Sequence, residues 1–276
     1  MVDRCRFGRL GQGLDATGRL ADDAIARGLE ICREYRRVLD AHGVTTPYVI
    51  ATQATREATN ARAFVAPAEA ILRASIEVIA GEREAALAFT AVARTFPELA
   101  GSSYLVVDVG GGSTELITTD GTRVVSAVSV PIGAVRLTER HLHSDPPTHD
   151  QIRALDEDLE RHLTSLALPV GVPVVGTAGT ATTIASMKLG LTTWDPVAVT
   201  GLRVTPDEVS SILARLLAAS VDERTAMAGV EPERADVIAA GVAIYASVLA
   251  HVGAPVMITC DRGIRWGLAY ERLGAG

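Results

Sequence analysis

The apolar positions of the first hundred residues change period several times. After Asp22-Asp23, the residues Ile25, Leu29, Cys32, Val38 and Leu39 recur near helical spacing, which predicts an amphipathic helix over 22–41 that Gly43 ends. Short apolar runs at 48–51 and 76–79 predict strands, with a helix over 60–74 between them and another beginning near Gly81. This alternation is an α/β rhythm.

Beyond Pro97 and Gly101 the pattern shifts to three consecutive strand candidates, 104–109, 114–118 and 123–130, the last two joined by a turn at Asp120-Gly121. A β-meander is the expectation. Helices are predicted over 133–143 and, after the Pro146-Pro147 break, over 150–166. A strand at 172–175, a helix after Gly179, helices over 207–219 and 234–252 and a last strand at 256–259 complete the chain. The shift near residue 101 divides the sequence into a first domain, 1–100, and a second, 101–261. The terminal helix, 262–273, is expected to pack back on the first.

Composition narrows the function. A chain of 276 residues, 48% hydrophobic, is long enough for two cores. Cys5, Cys32 and Cys260 are far apart and uneven in number, which fits a reducing, cytoplasmic compartment better than a disulfide framework, and Cys32 falls on the apolar face of its helix. No run of about 18 apolar residues and no apolar leader core is present, so neither a membrane span nor a secretory signal is expected. The formal charge of −7 argues against a broad DNA or RNA footprint. With Lys188 the only lysine, phosphate chemistry that leans on a loop lysine has little material.

The strongest chemical signal is the run Asp108-Val109-Gly110-Gly111-Gly112-Ser113-Thr114-Glu115. Consecutive glycines let amides approach phosphate oxygens and take positive φ, and Ser113 and Thr114 add hydroxyls. A plain hairpin tip is the alternative, although two-residue Asn-Gly or Asp-Gly tips serve that purpose at lower entropic cost. A dinucleotide fingerprint is excluded because Glu115 stands where the last glycine should be and a strand follows. A second loop, Gly176, Thr177, Ala178, Gly179 and Thr180, follows a strand and opens a helix, which makes it either an anion site or a small-residue turn. Glu82 and Glu84 are either first-turn acids or the source of a general base, and Arg56 is either a solvated helix start or a phosphate clamp. His141 and His143 read as a solvated helix end rather than metal ligands, and Trp194 as a packing residue.

The meander followed by alternating helices and strands resembles a ribonuclease-H-like half of the actin, sugar kinase and Hsp70 superfamily. The segments ATQATREATNARAF, EVIAGEREAALAF, LVVDVGGGSTELI, VPVVGTAGTATTIA, RADVIAAGVAIY and ITCDRGIRWGL stand in the order found in the exopolyphosphatase and guanosine pentaphosphate phosphohydrolase family. This resemblance implies two ribonuclease-H-like domains with a cleft between them. It implies hydrolysis of a terminal phosphoanhydride, releasing orthophosphate from inorganic polyphosphate or from pppGpp, with Mg²⁺ as cofactor, and it admits a homodimer. It makes Glu84 the catalytic base and Glu115 the group that orients water or metal. Asp108 becomes a metal ligand beside Glu115, and Gly110, Gly111, Gly112, Ser113 and Thr114, with Gly176, Thr177, Ala178, Gly179 and Thr180, become phosphate loops. Arg56 becomes a phosphate ligand.

The sequence departs from the family pattern in places. Arg83 replaces a glutamate and is expected to favour ionised Glu84 if the two approach. Thr200 stands where relatives carry a histidine. The family's opening strand, D-x-G-(S/T)-N-S loop and second strand would precede Met1, so the first domain is expected to lack its opening β-hairpin, with Val2 to Phe7 at most a remnant of a third strand. A start about 30 residues upstream would restore a hairpin of ordinary strand lengths. A natural truncation, leaving a catalytically impaired polyphosphate or guanosine-polyphosphate binding protein, is the rival. A sugar-kinase-like phosphotransferase would need an aspartate base and a nucleotide pocket, and the sequence nominates neither.

Overall fold

The computed structural model describes residues 2–274. The chain divides into two compact units, Met1–Gly81 and Glu82–Gly276. The first is a helical pair beside a minimal sheet. Asp22–Ala41 and Arg62–Leu72 close on a core of Leu14, Leu20, Cys32, Ala58, Phe64, Ala68 and Leu72. Their approach depends on Gly28, where a Cβ would fall 2.8 Å from the Phe64 ring. The strands β1 (Val49–Ala51) and β2 (Ile76–Val78) pair in parallel, and none of their residues is buried. Val2 to Phe7, at most a strand remnant by their sequence, form no strand.

The second unit is built on a six-stranded sheet. Its strands are β3 (Tyr104–Val109), β4 (Thr114–Thr119), β5 (Val124–Val130), β6 (Val174–Thr177), β7 (Arg203–Val204) and β8 (Met257–Thr259), in the spatial order β5-β4-β3-β6-β8-β7. The antiparallel meander β3-β4-β5 is the one the pattern predicts, and β6 and β8 extend it in parallel. The two-residue strand β7 carries too little periodicity to be read from sequence.

Period-two alternation sorts β3 between two cores. Leu105, Val107 and Val109 join one with Leu116, Val174, Met257 and residues of the helices Ala134–His141, His149–Leu163, Ala178–Leu189, Pro206–Ala218 and Ile238–His251. Tyr104 and Val106 face the other, made with Ile117, Val175, Ile258 and the Ala85, Ala88 and Val92 stripe of helix Gly81–Thr95. Helix Ile264–Leu273 lies against that same helix, where a Cβ on Gly267 would fall 2.0 Å from the Leu87 carbonyl oxygen. Among the described residues no helix is long and apolar enough to cross a membrane.

Two side chains differ from their sequence reading. Trp194 is half exposed rather than packed. His141 is not solvated: with Arg140 it donates to the buried Asp158 carboxylate, each at 2.8 Å, because the helices Ala134–His141 and His149–Leu163 pack and bring an acid between two bases.

Candidate active site

The strand register writes one polar row across four neighbouring strands. Asp108 of β3 stands opposite Glu115 of β4 and level with Thr177 of β6, and Glu115 stands opposite Ser129 of β5. Directly paired residues share a face, so these side chains lie on the Tyr104–Val106 side, at the end of the apolar stripe that helix Gly81–Thr95 covers. Glu84, in the first turn of that helix, is buried, as are Asp108 and Glu115. Burial pushes the Asp108 carboxyl up to about 7, and the negative charges of Glu115 and Glu84 push the same way, which brings all three acids into one electrostatic neighbourhood. The nearby Thr177 hydroxyl offsets part of that rise.

The two glycine loops flank this row. In the first, the Gly110 amide donates to the Ser113 carbonyl at 2.9 Å. The Gly110 and Gly111 carbonyls accept from the amides of Ala134, Val135 and Arg136 at 2.9, 2.9 and 3.0 Å. Those bonds occupy the loop's carbonyls, while the amides of Gly111, Gly112 and Ser113 make no hydrogen bond among the described residues. This is an amide-rich concavity suited to anions. The close approach requires Gly133, where a Cβ would fall 2.4 Å from the Gly111 oxygen.

Contrary to the sequence reading, Gly110 and Gly111 use no positive φ; what they permit is approach. In the second loop the left-handed residue is not a glycine at all. Ala178 has φ 62°, a conformation costing about 1–2 kcal/mol for an L-residue, at the start of helix Ala178–Leu189. The guanidinium of Arg234 lies against Gly179, so close that a Cβ there would overlap it. Gly176 leaves room for Tyr245, whose hydroxyl lies 2.8 Å from the Val107 carbonyl and 2.9 Å from the Thr177 carbonyl, joining β3 to β6 just below both loops. Arg234, Gly133 and Tyr245 were not singled out from sequence; Ala178 was, as a member of the second loop, but not for its left-handed backbone.

Of the residues that were, the structure brings together Asp108, Glu115, Glu84, Ser113 and Thr177. Arg56 belongs to the first unit, where it follows β1 and its Nη1 donates to the Ile79 carbonyl at 2.6 Å. Arg83 forks onto Glu271, with one bond of 2.8 Å. Thr200 Oγ1 donates to the Asp261 carboxylate at 2.8 Å.

Asp108 and Glu115 present hard oxygen donors side by side, and Thr177 Oγ1 is fully buried in the same row without a partner in bonding geometry. Among the described residues no group of three or more acidic, histidine or cysteine side chains is arranged to cage a cation. That donor set fits Mg²⁺, which commonly takes one or two carboxylates and fills its octahedron with water and substrate phosphate.

A buried carboxylate row flanked by two amide-bearing loops on a ribonuclease-H-like sheet defines a phosphoryl-handling protein of the actin-like class. The sequence profile of the Ppx/GppA phosphatase family matches residues 1–275, and the chain belongs to that family. It is 38% identical to Exopolyphosphatase 2 of Mycobacterium tuberculosis over 248 residues, spanning 87% of this chain and 77% of that protein. The crystal structure of the Aquifex aeolicus Ppx/GppA family member, 33% identical, superposes with a TM-score of 0.82 over 99% of this chain and 89% of that one. An exopolyphosphatase from Cytophaga hutchinsonii, 26% identical, superposes with a TM-score of 0.85 over 96% of this chain and 86% of that one.

Proposed function

We propose that this phosphatase removes the terminal phosphoryl group of inorganic polyphosphate, and of pppGpp, by water attack on the last phosphoanhydride. The observation that carries the reading is the single row in which Asp108 and Glu115 stand beside a loop of unspent amides, with Glu84 entering from the covering helix.

In this mechanism the terminal phosphate lies against the amides of Gly111, Gly112 and Ser113 and the N-terminus of helix Ala178–Leu189, whose dipole favours negative charge. The Arg234 guanidinium lies against the second loop at Gly179, and Thr180 belongs to that loop, whereas the Thr114 hydroxyl is taken up by the Ile132 carbonyl on the other face of its strand. Glu84 accepts a proton from the water as its oxygen bonds to phosphorus, and the P–O bond to the next phosphate breaks, giving orthophosphate and a chain shorter by one. Asp108 and Glu115 would hold Mg²⁺, which when bound neutralises phosphate oxygens. Little covalent help is needed, because positioning and charge stabilisation carry most phosphoryl transfers.

The test is orthophosphate release from polyphosphate and from pppGpp in Mg²⁺ buffer. Glu84→Gln keeps the shape of the side chain and should lower kcat by about 10²–10⁴-fold, the usual worth of a general base. Undiminished release by that variant would overturn the assignment of the base. Wild-type protein that binds polyphosphate without releasing orthophosphate would replace hydrolysis by binding.

A further inference from the structure

Glu115 is held by two hydroxyls that converge on one of its oxygens. Ser113 Oγ donates to Oε1 at 2.8 Å, and Ser129 Oγ donates to the same Oε1 at 2.8 Å. Oε2 accepts no hydrogen bond among the described residues. The two donors have different origins. Ser113 belongs to the glycine loop, whereas Ser129 stands on β5 and is locked to Glu115 by the ladder Thr114–Val130, Glu115–Ser129 and Leu116–Val128.

We propose that Ser129 is a positioning residue for the hydrolysis: it pins Oε1 of Glu115 so that Oε2 alone is presented to the reaction. The proposal rests on the functional reading above, in which Glu115 orients the water or the cation. A carboxylate offers lone pairs on both oxygens and rotates freely about its terminal bond, so a lone donor in a loop leaves the plane of the group loosely set. A second donor from a paired strand fixes that plane independently of how the loop moves around phosphate. Hydrogen bonds to a charged group are also the stronger kind.

Ser129 is otherwise exposed on its strand, and no apolar core residue depends on its hydroxyl. Its removal should therefore leave the fold intact, which separates a positioning role from a structural one.

The experiment measures kcat and KM for polyphosphate, together with the melting temperature, for wild type, Ser129→Ala, Ser129→Thr, Glu115→Gln and Ser126→Ala. Ser126 is an exposed serine on the opposite face of the same strand. Ser129→Ala is expected to lower kcat by about 10-fold or more, the worth of a hydrogen bond to a charged group, with KM and melting temperature little changed. Ser129→Thr, which restores the hydroxyl and suits a strand, should recover most of the rate, and Ser126→Ala should match wild type. Wild-type kcat in Ser129→Ala beside a strong loss in Glu115→Gln would overturn the positioning role alone. Full activity in Glu115→Gln would overturn it together with the functional role of Glu115. A fall in melting temperature that accounts for the lost rate, with no rescue by threonine, would assign Ser129 a structural role instead.

Discussion

The two sheets of this molecule use the same strand grammar to different ends. In the second unit, β3 is buried along its whole length, clasped between two apolar layers, and its one charged residue is held where a carboxylate would not otherwise go. In the first unit, β1 and β2 make a parallel pair with no buried residue, and Val78 and Tyr48 stay more than two-fifths exposed. Burial is what turns a polar residue into a perturbed one. Asp108 is shifted because alternation places it at the end of an apolar stripe, and the half-open sheet of the first unit offers no such setting.

The sharpest way to break this contrast is to remove one apolar side chain from each sheet. Leu105→Ala should destabilise the second unit by about 2–5 kcal/mol, and Val49→Ala should cost the first about 1 kcal/mol or less. Trp194 and Trp266 both lie in the second unit, so tryptophan emission during urea unfolding reports that unit, while amide exchange on β1 reports the first. Equal losses would refute the comparison.

Next in size is the effect of the buried acid. Asp108 ionises near 7 in the folded protein against an ordinary value of 3.8, so between those pH values the unfolded chain sheds a proton that the folded one keeps. Its favourable share of stability is complete below about pH 4 and is lost as pH rises to about 7. Melting curves in EDTA from pH 5 to 8 should show Asp108→Asn gaining on wild type as pH rises, by up to a few kcal/mol. Parallel curves would show that Asp108 is not perturbed.

The smallest expected effect concerns the strand clamp. Tyr245→Phe keeps the ring and removes the hydroxyl that serves two carbonyls, and should cost about 1–2 kcal/mol by urea denaturation. A loss below detection would show that the ladder alone sets the spacing of β3 and β6.

How much of this was readable in advance follows from the range of the interactions involved. The strands of the meander and the helix Asp22–Ala41 were predicted to within a residue, because periodicity and turn chemistry are local. The loop at Gly110–Ser113 was visible for the same reason. Its true requirement was not: Gly133 matters through a carbonyl more than twenty residues away, and Arg234 reaches Gly179 from a short turn before the helix Ile238–His251. Ser129 sits in a run of alternating residues with nothing to mark it, and only the register opposite Glu115 gives it a task. The left-handed backbone of Ala178 was invisible for a different reason, since an alanine, unlike a glycine, does not mark such a position in a sequence.

The polar row also limits which lengths of this hairpin evolution can try. The β4–β5 register shifts at Thr118/Thr119, close to the connection that spans Asp120 to Arg123, and it is regular from there to Glu115–Ser129. An insertion or deletion in the connection can be taken up at that irregularity. A single-residue indel within β5 would instead slide the strand by one place and set Val128 or Val130 against Glu115, turning the serine to the other face. Homologous hairpins should therefore vary freely in length at the distal end and hardly at all at the end nearest the acid.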